Sequence, residues 1–267
     1  MSQGLASILW VALVLPLLLL CQRWIHSHLQ GLAYLLTGKR SWAVLVYALT
    51  LLPGVVLHEF SHWLAAKLLG VRTGSFSILP KSKSDGSIQL GYVEYYRTKS
   101  LGPVRESIIG SAPLISGTAA VLLIALHIFD VPAVLESLAA RDTGRLLQAL
   151  NGLLATPDLF VWLYLLFAIS NAMMPSAADR RAWPTFALIM SVITIALILL
   201  DLQDELLAHL TGPGTVFLTY LGLALTSAVA VDLVFMTLIK IGEWLISRIK
   251  GVELVYGERP ASPPFLS

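Results

Sequence analysis

The sequence predicts an all-α, multi-pass membrane protein of about six transmembrane helices, with a small β-hairpin between the second and third. Three observations carry this expectation. Of 267 residues, 57% are hydrophobic and only 13% charged, whereas soluble domains run near half and a quarter. The mean hydropathy is +0.78. Six segments are apolar enough to enter a bilayer, judged against the roughly 20 residues that a full span needs.

The first segment, Leu5–Cys21, lacks a basic flank before it and a small-residue cleavage site after it, so it reads as a retained helix rather than a signal peptide. The second, Trp42–Leu69, is longer than a span needs and carries a cluster of ionisable residues. The third and sixth are Ile108–Phe129 and Val216–Ile239, while Leu159–Met174 and Trp183–Leu200 are short. Trp42, Trp162 and Trp183 fall near helix starts, where amphipathic rings favour the headgroup level. The hairpin is read over 75–96: Phe76, Ile78 and Leu79 form one arm, and Ile88, Leu90, Tyr92 and Tyr95 the other, around an Asp85-Gly86 turn. Val134–Leu154 has helical spacing with Arg141, Asp142 and Arg145 on its polar side, which suits a helix lying along a membrane surface.

These elements give four regions: a first helix and connection (1–40), a membrane core (41–184), C-terminal helices (185–250) and a tail (251–267) whose prolines predict disorder. Six spans place both termini on one face. That face collects 13 of the 18 basic residues, and the positive-inside rule then puts both termini in the cytoplasm of a cell membrane. The net charge of +2 gives no basis for a nucleic-acid partner, and the lone Cys21 excludes an intrachain disulfide.

The chemistry concentrates in His58-Glu59-Phe60-Ser61-His62, inside the second segment. On a helix, positions i and i+4 share a face, so both imidazoles reach one ion. Glu59, one residue along, is placed to act on a water beside that ion. This is the pattern of H-E-x-x-H metalloproteases. Two histidines and a glutamate within five residues of a span are costly in hydrocarbon unless they have a function. Zinc is favoured as the metal by ligand type.

A zinc site needs a third protein ligand from the same end of the bundle. His58 lies about 15 Å along the helix from the Lys67–Gly70 exit, too deep for a surface loop. The fourth segment is too short to cross, so the Pro175–Asp179 turn after it sits low enough to bring Asp179 to the ion. Asp232, in the interior of the sixth segment, is the rival ligand. His26 and His28 fall in the first connection, with nothing nearby in sequence to complete a second site.

These residues resemble the site-2 protease family of intramembrane zinc metalloproteases. The likeness rests on His58-Glu59-Phe60-Ser61-His62, on Asn171-Ala-Met-Met-Pro175-Ser-Ala-Ala-Asp179 and on Gly110-Ser-Ala-Pro113-Leu-Ile-Ser-Gly117, and it covers about Leu51 to Pro184. Pro175 is one position later than the family's proline, Arg180 stands where a glycine is usual, and Ser116 or Gly117 where an asparagine is often found. The hairpin connection is too short to hold a PDZ-like insertion. The resemblance implies zinc held by His58, His62 and Asp179, with Glu59 as catalytic acid–base and Asn171 toward substrate. The implied substrate is a membrane-spanning protein, unwound before cleavage, and the hairpin edge offers a strand on which to lay it. A transporter or scaffold, and an inactive relative, are the competing readings. A prenyl-protein protease would require a glutamate as third ligand, and the fourth and fifth segments contain none.

Overall fold

The computed structural model describes residues 3–77, 81–82, 88–89, 91–95, 102–199, 203–252, 254 and 256. The chain is mostly helical: α1 Gln3–Thr37, α2 Arg40–Thr50, α3 Leu52–Leu68, α4 Pro103–Leu123, α5 Val131–Ala139, α6 Thr143–Leu154, α7 Leu159–Ala172, α8 Trp183–Leu199 and α9 Gln203–Lys250. A short π-helical turn, Ile124–Ile128, continues α4. Between α3 and α4 lie four short strands, β1 Thr73–Ser77, β2 Lys81–Ser82, β3 Ile88–Gln89 and β4 Tyr92–Tyr95. β1 pairs antiparallel with β4 and β2 with β3, which is one hairpin interrupted by an irregularity. It falls where the sequence places it; the Asp85-Gly86 turn lies outside the described residues.

Among the described residues, three helices are long and apolar enough to cross a membrane (α1, α4 and α9), and up to five segments qualify if each bent pair counts as one span. The bent pairs are α2 with α3, at 71°, and α6 with α7, at 89°. The expected single helix over Trp42–Leu69 is thus two. Leu51 leaves helical geometry, and Pro53 has no N–H with which to continue the ladder of α2 but suits the first turn of α3. The expected helix Val134–Leu154 is also two, divided at Arg141, whose φ of 53° breaks the α-helical path. α8 has 17 residues, about 25 Å of rise against a hydrocarbon thickness near 30 Å.

The larger correction concerns α1 and α9. α1 continues unbroken to Thr37, so its connection to α2 is only Gly38 and Lys39. It lies against α9 along its whole length, and the contacts fix the direction. Ser7 bonds Thr219 at 3.0 Å, Trp10 bonds Thr226 at 3.1 Å, and His28 bonds Glu243 at 2.9 Å. Lys250 reaches the carbonyls of Leu35 and Leu36 at the C-terminal end of α1, where helical partners run out. The two helices are therefore parallel. The start of α1 and the end of α9 lie at opposite ends of the bundle, so the expectation of both termini on one face does not hold. The 13 basic residues of the expected common face include Lys240, Arg248 and Lys250, which sit at the end of the bundle where α9 finishes and away from the hairpin, so the charge excess no longer orients the chain.

α7 packs antiparallel to α9, with Phe167 stacked on Phe235 at 4.0 Å and Asn171 bonded to Asp232. The core runs through the α1, α2, α7 and α9 interfaces, from Leu18, Ile25 and Leu51 to Leu166, Phe167 and Leu225. Residues Tyr256 and Gly31 meet beyond the end of α9: Tyr256 bonds Glu243, and its ring lies 4.2 Å from that of His28. Of the tail read as disordered (251–267), residues 251, 252, 254 and 256 are described, and the rest lie outside the described residues.

Candidate metal centre

The site forms where α3, α4 and the loop after α7 come closer than ordinary side chains permit. A side chain at Gly54 would overlap the carbonyl of Ala168 on α7, and one at Gly110 would overlap the carbonyl of Asp179. A third, at Gly117, would strike Met173. Small residues are the usual means by which membrane helices pack backbone to backbone. Here they bring His58 and His62 of α3 against the 173–182 loop.

His58, His62 and Asp179 form a group that could hold a metal ion, each offering one ligand atom within 4.8 Å of the others. The two Nε2 atoms are 3.2 Å apart. Asp179 places Oδ1 3.2 Å from His62 Nε2 and Oδ2 3.7 Å from His58 Nε2. Tetrahedral bonds of about 2.05 Å put ligand atoms about 3.3 Å apart, which is the spacing seen.

The other ring nitrogens explain why these atoms converge. His58 Nδ1 lies 2.7 Å from the carbonyl of Ala172, and His62 Nδ1 lies 2.9 Å from that of Ile109. Carbonyls only accept, so each Nδ1 carries a hydrogen, and in the neutral ring each Nε2 is left as an acceptor facing the same point. In that tautomer two lone pairs meet at 3.2 Å, an arrangement that a cation between them stabilises. The donor set therefore fits a divalent metal, with carbonyl partners fixing each ring as they do at metal sites generally.

Both carbonyls are free for identifiable reasons. Ala172 is the last residue of α7, where carbonyls have no helical donor. Ile109 is four residues before Pro113, which has no N–H to give it. Proline inside an apolar helix is the sequence signal for this second partner.

Asp179 is fixed by its own loop. Ser176 N–H donates to Oδ2 at 2.7 Å, and Asp179 N–H donates to the Ser176 hydroxyl at 3.3 Å. Arg180, next in the chain, directs Nε to the Ser176 carbonyl. Asp232, the rival ligand, is outside the group: its carboxyl meets Asn171 at 2.6 Å. The Asn171 amide also donates to Phe167 O at 3.0 Å, and the residue is 4% exposed.

Glu59 is buried, with electrostatic partners in His58, His62 and Asp179. The hairpin covers it. A Cβ on Gly91, just before β4, would lie 2.8 Å from Glu59 Cγ and 3.1 Å from Oε1. Ser61, between the two histidines, turns to the other side, bonding Leu57 O and the Ser116 hydroxyl, each at 2.5 Å. His26 and His28 lie within α1 and not in a connection. His26 meets the Tyr47 hydroxyl at 2.7 Å, and His28 meets Glu243.

Set against protein-family models, curated proteins and solved structures, the chain matches none.

Proposed function

We propose that the chain is an intramembrane metallopeptidase that hydrolyses peptide bonds of membrane-spanning proteins. More particularly, we propose a zinc enzyme of the kind seen in the site-2 protease family, which its motifs resemble. The observation that carries this reading is the convergence of two Nε2 atoms and one carboxylate, with a buried glutamate immediately beside them. The three apolar helices and two bent pairs support a bilayer setting with about five crossings.

His58, His62 and Asp179 would hold the ion. A bound divalent ion supplies a Lewis acid that polarises the scissile carbonyl and eases deprotonation of water. Glu59 takes a proton from the attacking water and delivers it to the departing amine. Gly91 keeps the strand above Glu59 free of a side chain, leaving the carboxylate room to reach the peptide. Glu59 and His62 are buried and His58 and Asp179 partly so, which limits the competition of bulk water with the substrate's extended backbone.

The test is metal analysis of the purified chain beside His58→Ala and Asp179→Ala. About one zinc per chain is expected in the wild type, with loss in both variants. Retention in Asp179→Ala rejects Asp179 as a ligand. Incubation with single-span substrate proteins then compares the wild type with Glu59→Gln, and cleavage that survives in Glu59→Gln overturns the peptidase reading.

A further inference from the structure

One buried acid has no part in this chemistry. Asp232 is 0% exposed, in the middle of α9, surrounded by apolar helices. An acid in that position is costly and calls for a reason. Its Oδ1 accepts from Asn171 Nδ2 at 2.6 Å. Its Oδ2 is sealed from solvent with no hydrogen-bond partner among the described residues, and the same is true of Asn171 Oδ1.

The surroundings of this pair point at the metal centre. The last turn of α7 is gripped from two sides: Gln22 of α1 donates to the Ser170 carbonyl at 2.7 Å, and Asp232 of α9 holds Asn171. The next residue is Ala172, whose carbonyl receives the Nδ1–H of His58. A helix end has lost its onward backbone bonds and frays unless side chains hold it. Gln22 is 5% exposed, so both grips are made in the dry interior, where hydrogen bonds hold geometry best.

Resting on the metal-centre reading above, we propose that Asp232 is a positioning residue for His58. Together with Gln22 it fixes the last turn of α7, and with it the carbonyl that sets the His58 ring. The Asp232–Asn171 pair leaves two acceptor oxygens, Asp232 Oδ2 and Asn171 Oδ1, without a donor among the described residues. An amide at 232 adds a donor while still accepting from Asn171, whereas leucine at similar volume provides neither.

The experiment uses the full chain purified in detergent, titrated with cobalt(II) and followed by its d–d absorption, alongside thermal unfolding of the metal-free protein. Asp232→Asn is expected to bind with wild-type affinity and spectrum. Asp232→Leu is expected to bind about 10- to 100-fold more weakly, the usual cost of losing support behind a ligand, with an altered spectrum. Gln22→Leu, which loosens the same turn from the α1 side, is expected to weaken binding in the same direction and serves if Asp232→Leu does not fold. Trp10→Phe removes the Trp10–Thr226 bond of the same α1–α9 interface. It is expected to lower the melting temperature and leave cobalt affinity unchanged.

Wild-type affinity in both Asp232→Leu and Gln22→Leu overturns the proposal. So does weakening in Trp10→Phe that matches its loss of stability, which would mark a general packing effect. Loss of binding in Asp232→Asn as complete as in His58→Ala would make Asp232 a ligand instead. If the wild type binds no cobalt, the metal-centre reading itself fails and takes this inference with it. If the wild type binds and His58→Ala does not, that reading stands whatever Asp232 does.

Discussion

Replacing Pro113 by alanine should make the protein more stable and its metal weaker. Proline in a helix interior costs about 3 kcal/mol relative to alanine, from the missing hydrogen bond and the ring's clash with the preceding turn. Pro113 is fully buried, and removing its ring contacts returns about 1 kcal/mol of that as an unfilled gap. A net gain of about 2 kcal/mol is therefore expected for the metal-free fold. The same substitution gives α4 a new N–H aimed at the Ile109 carbonyl, which now accepts from His62 at 2.9 Å. Competition for that oxygen loosens the ring, and lost support of this kind weakens metal affinity about 10- to 100-fold. Circular dichroism melts of the metal-free protein, paired with zinc competition against a chelator, measure both effects. Unchanged zinc affinity, or a melting temperature that falls together with affinity, would refute the idea that the proline acts by freeing the carbonyl.

Glu59→Gln should keep wild-type zinc content while losing hydrolysis by about 100-fold or more, as removal of a general acid–base does, read by substrate cleavage beside metal analysis. Gly91→Ala should lower turnover without displacing metal, because its methyl carbon would press on Glu59 Cγ from 2.8 Å; cleavage rates and zinc stoichiometry separate the two effects. Gly54→Ala, by contrast, forces α3 away from the Ala168 carbonyl, at about 1–3 kcal/mol or more, so melting temperature and zinc content should fall together. Side-specific reporters fused before α1 and after Lys250 should emerge on opposite sides of the membrane, and a result placing both on one side would contradict the parallel packing of α1 and α9.

The ligand group was legible because it depends on local spacing and on a length argument. His58 and His62 are one turn apart on any helix, and the shortness of the apolar run ending near Met174 brought the Asp179 loop to their level. The partners behind the ligands were not legible, since they join residues as remote as His62 and Ile109, and nothing in a window of hydropathy pairs them. The first helix was read too short for a related reason. Gln22, His26 and His28 resemble the polar start of a connection, yet each is satisfied by another helix: Ser170 on α7, Tyr47 on α2 and Glu243 on α9. Composition registers a polar side chain but not the group that neutralises it. The bend at Leu51 did have a local cause, Pro53, hidden within a run long enough to pass for one helix. The resemblance turns Asn171 toward substrate, whereas the structure gives its amide to Phe167 and Asp232.

The side-by-side course of α1 and α9 sets an order of events during synthesis. Among the described helices α1 is made before the others, and the helix it rests against is made after them. Their contacts, such as Ser7 with Thr219 and Lys250 with Leu35, span more than two hundred residues, and pairings so distant along the chain form late. Until then Trp10 and His28 of α1 lack their α9 partners, and α7 is held on one flank only. A nascent chain that already carries both histidines and the aspartate is thus an unfinished vessel, sealed only once α9 has been made.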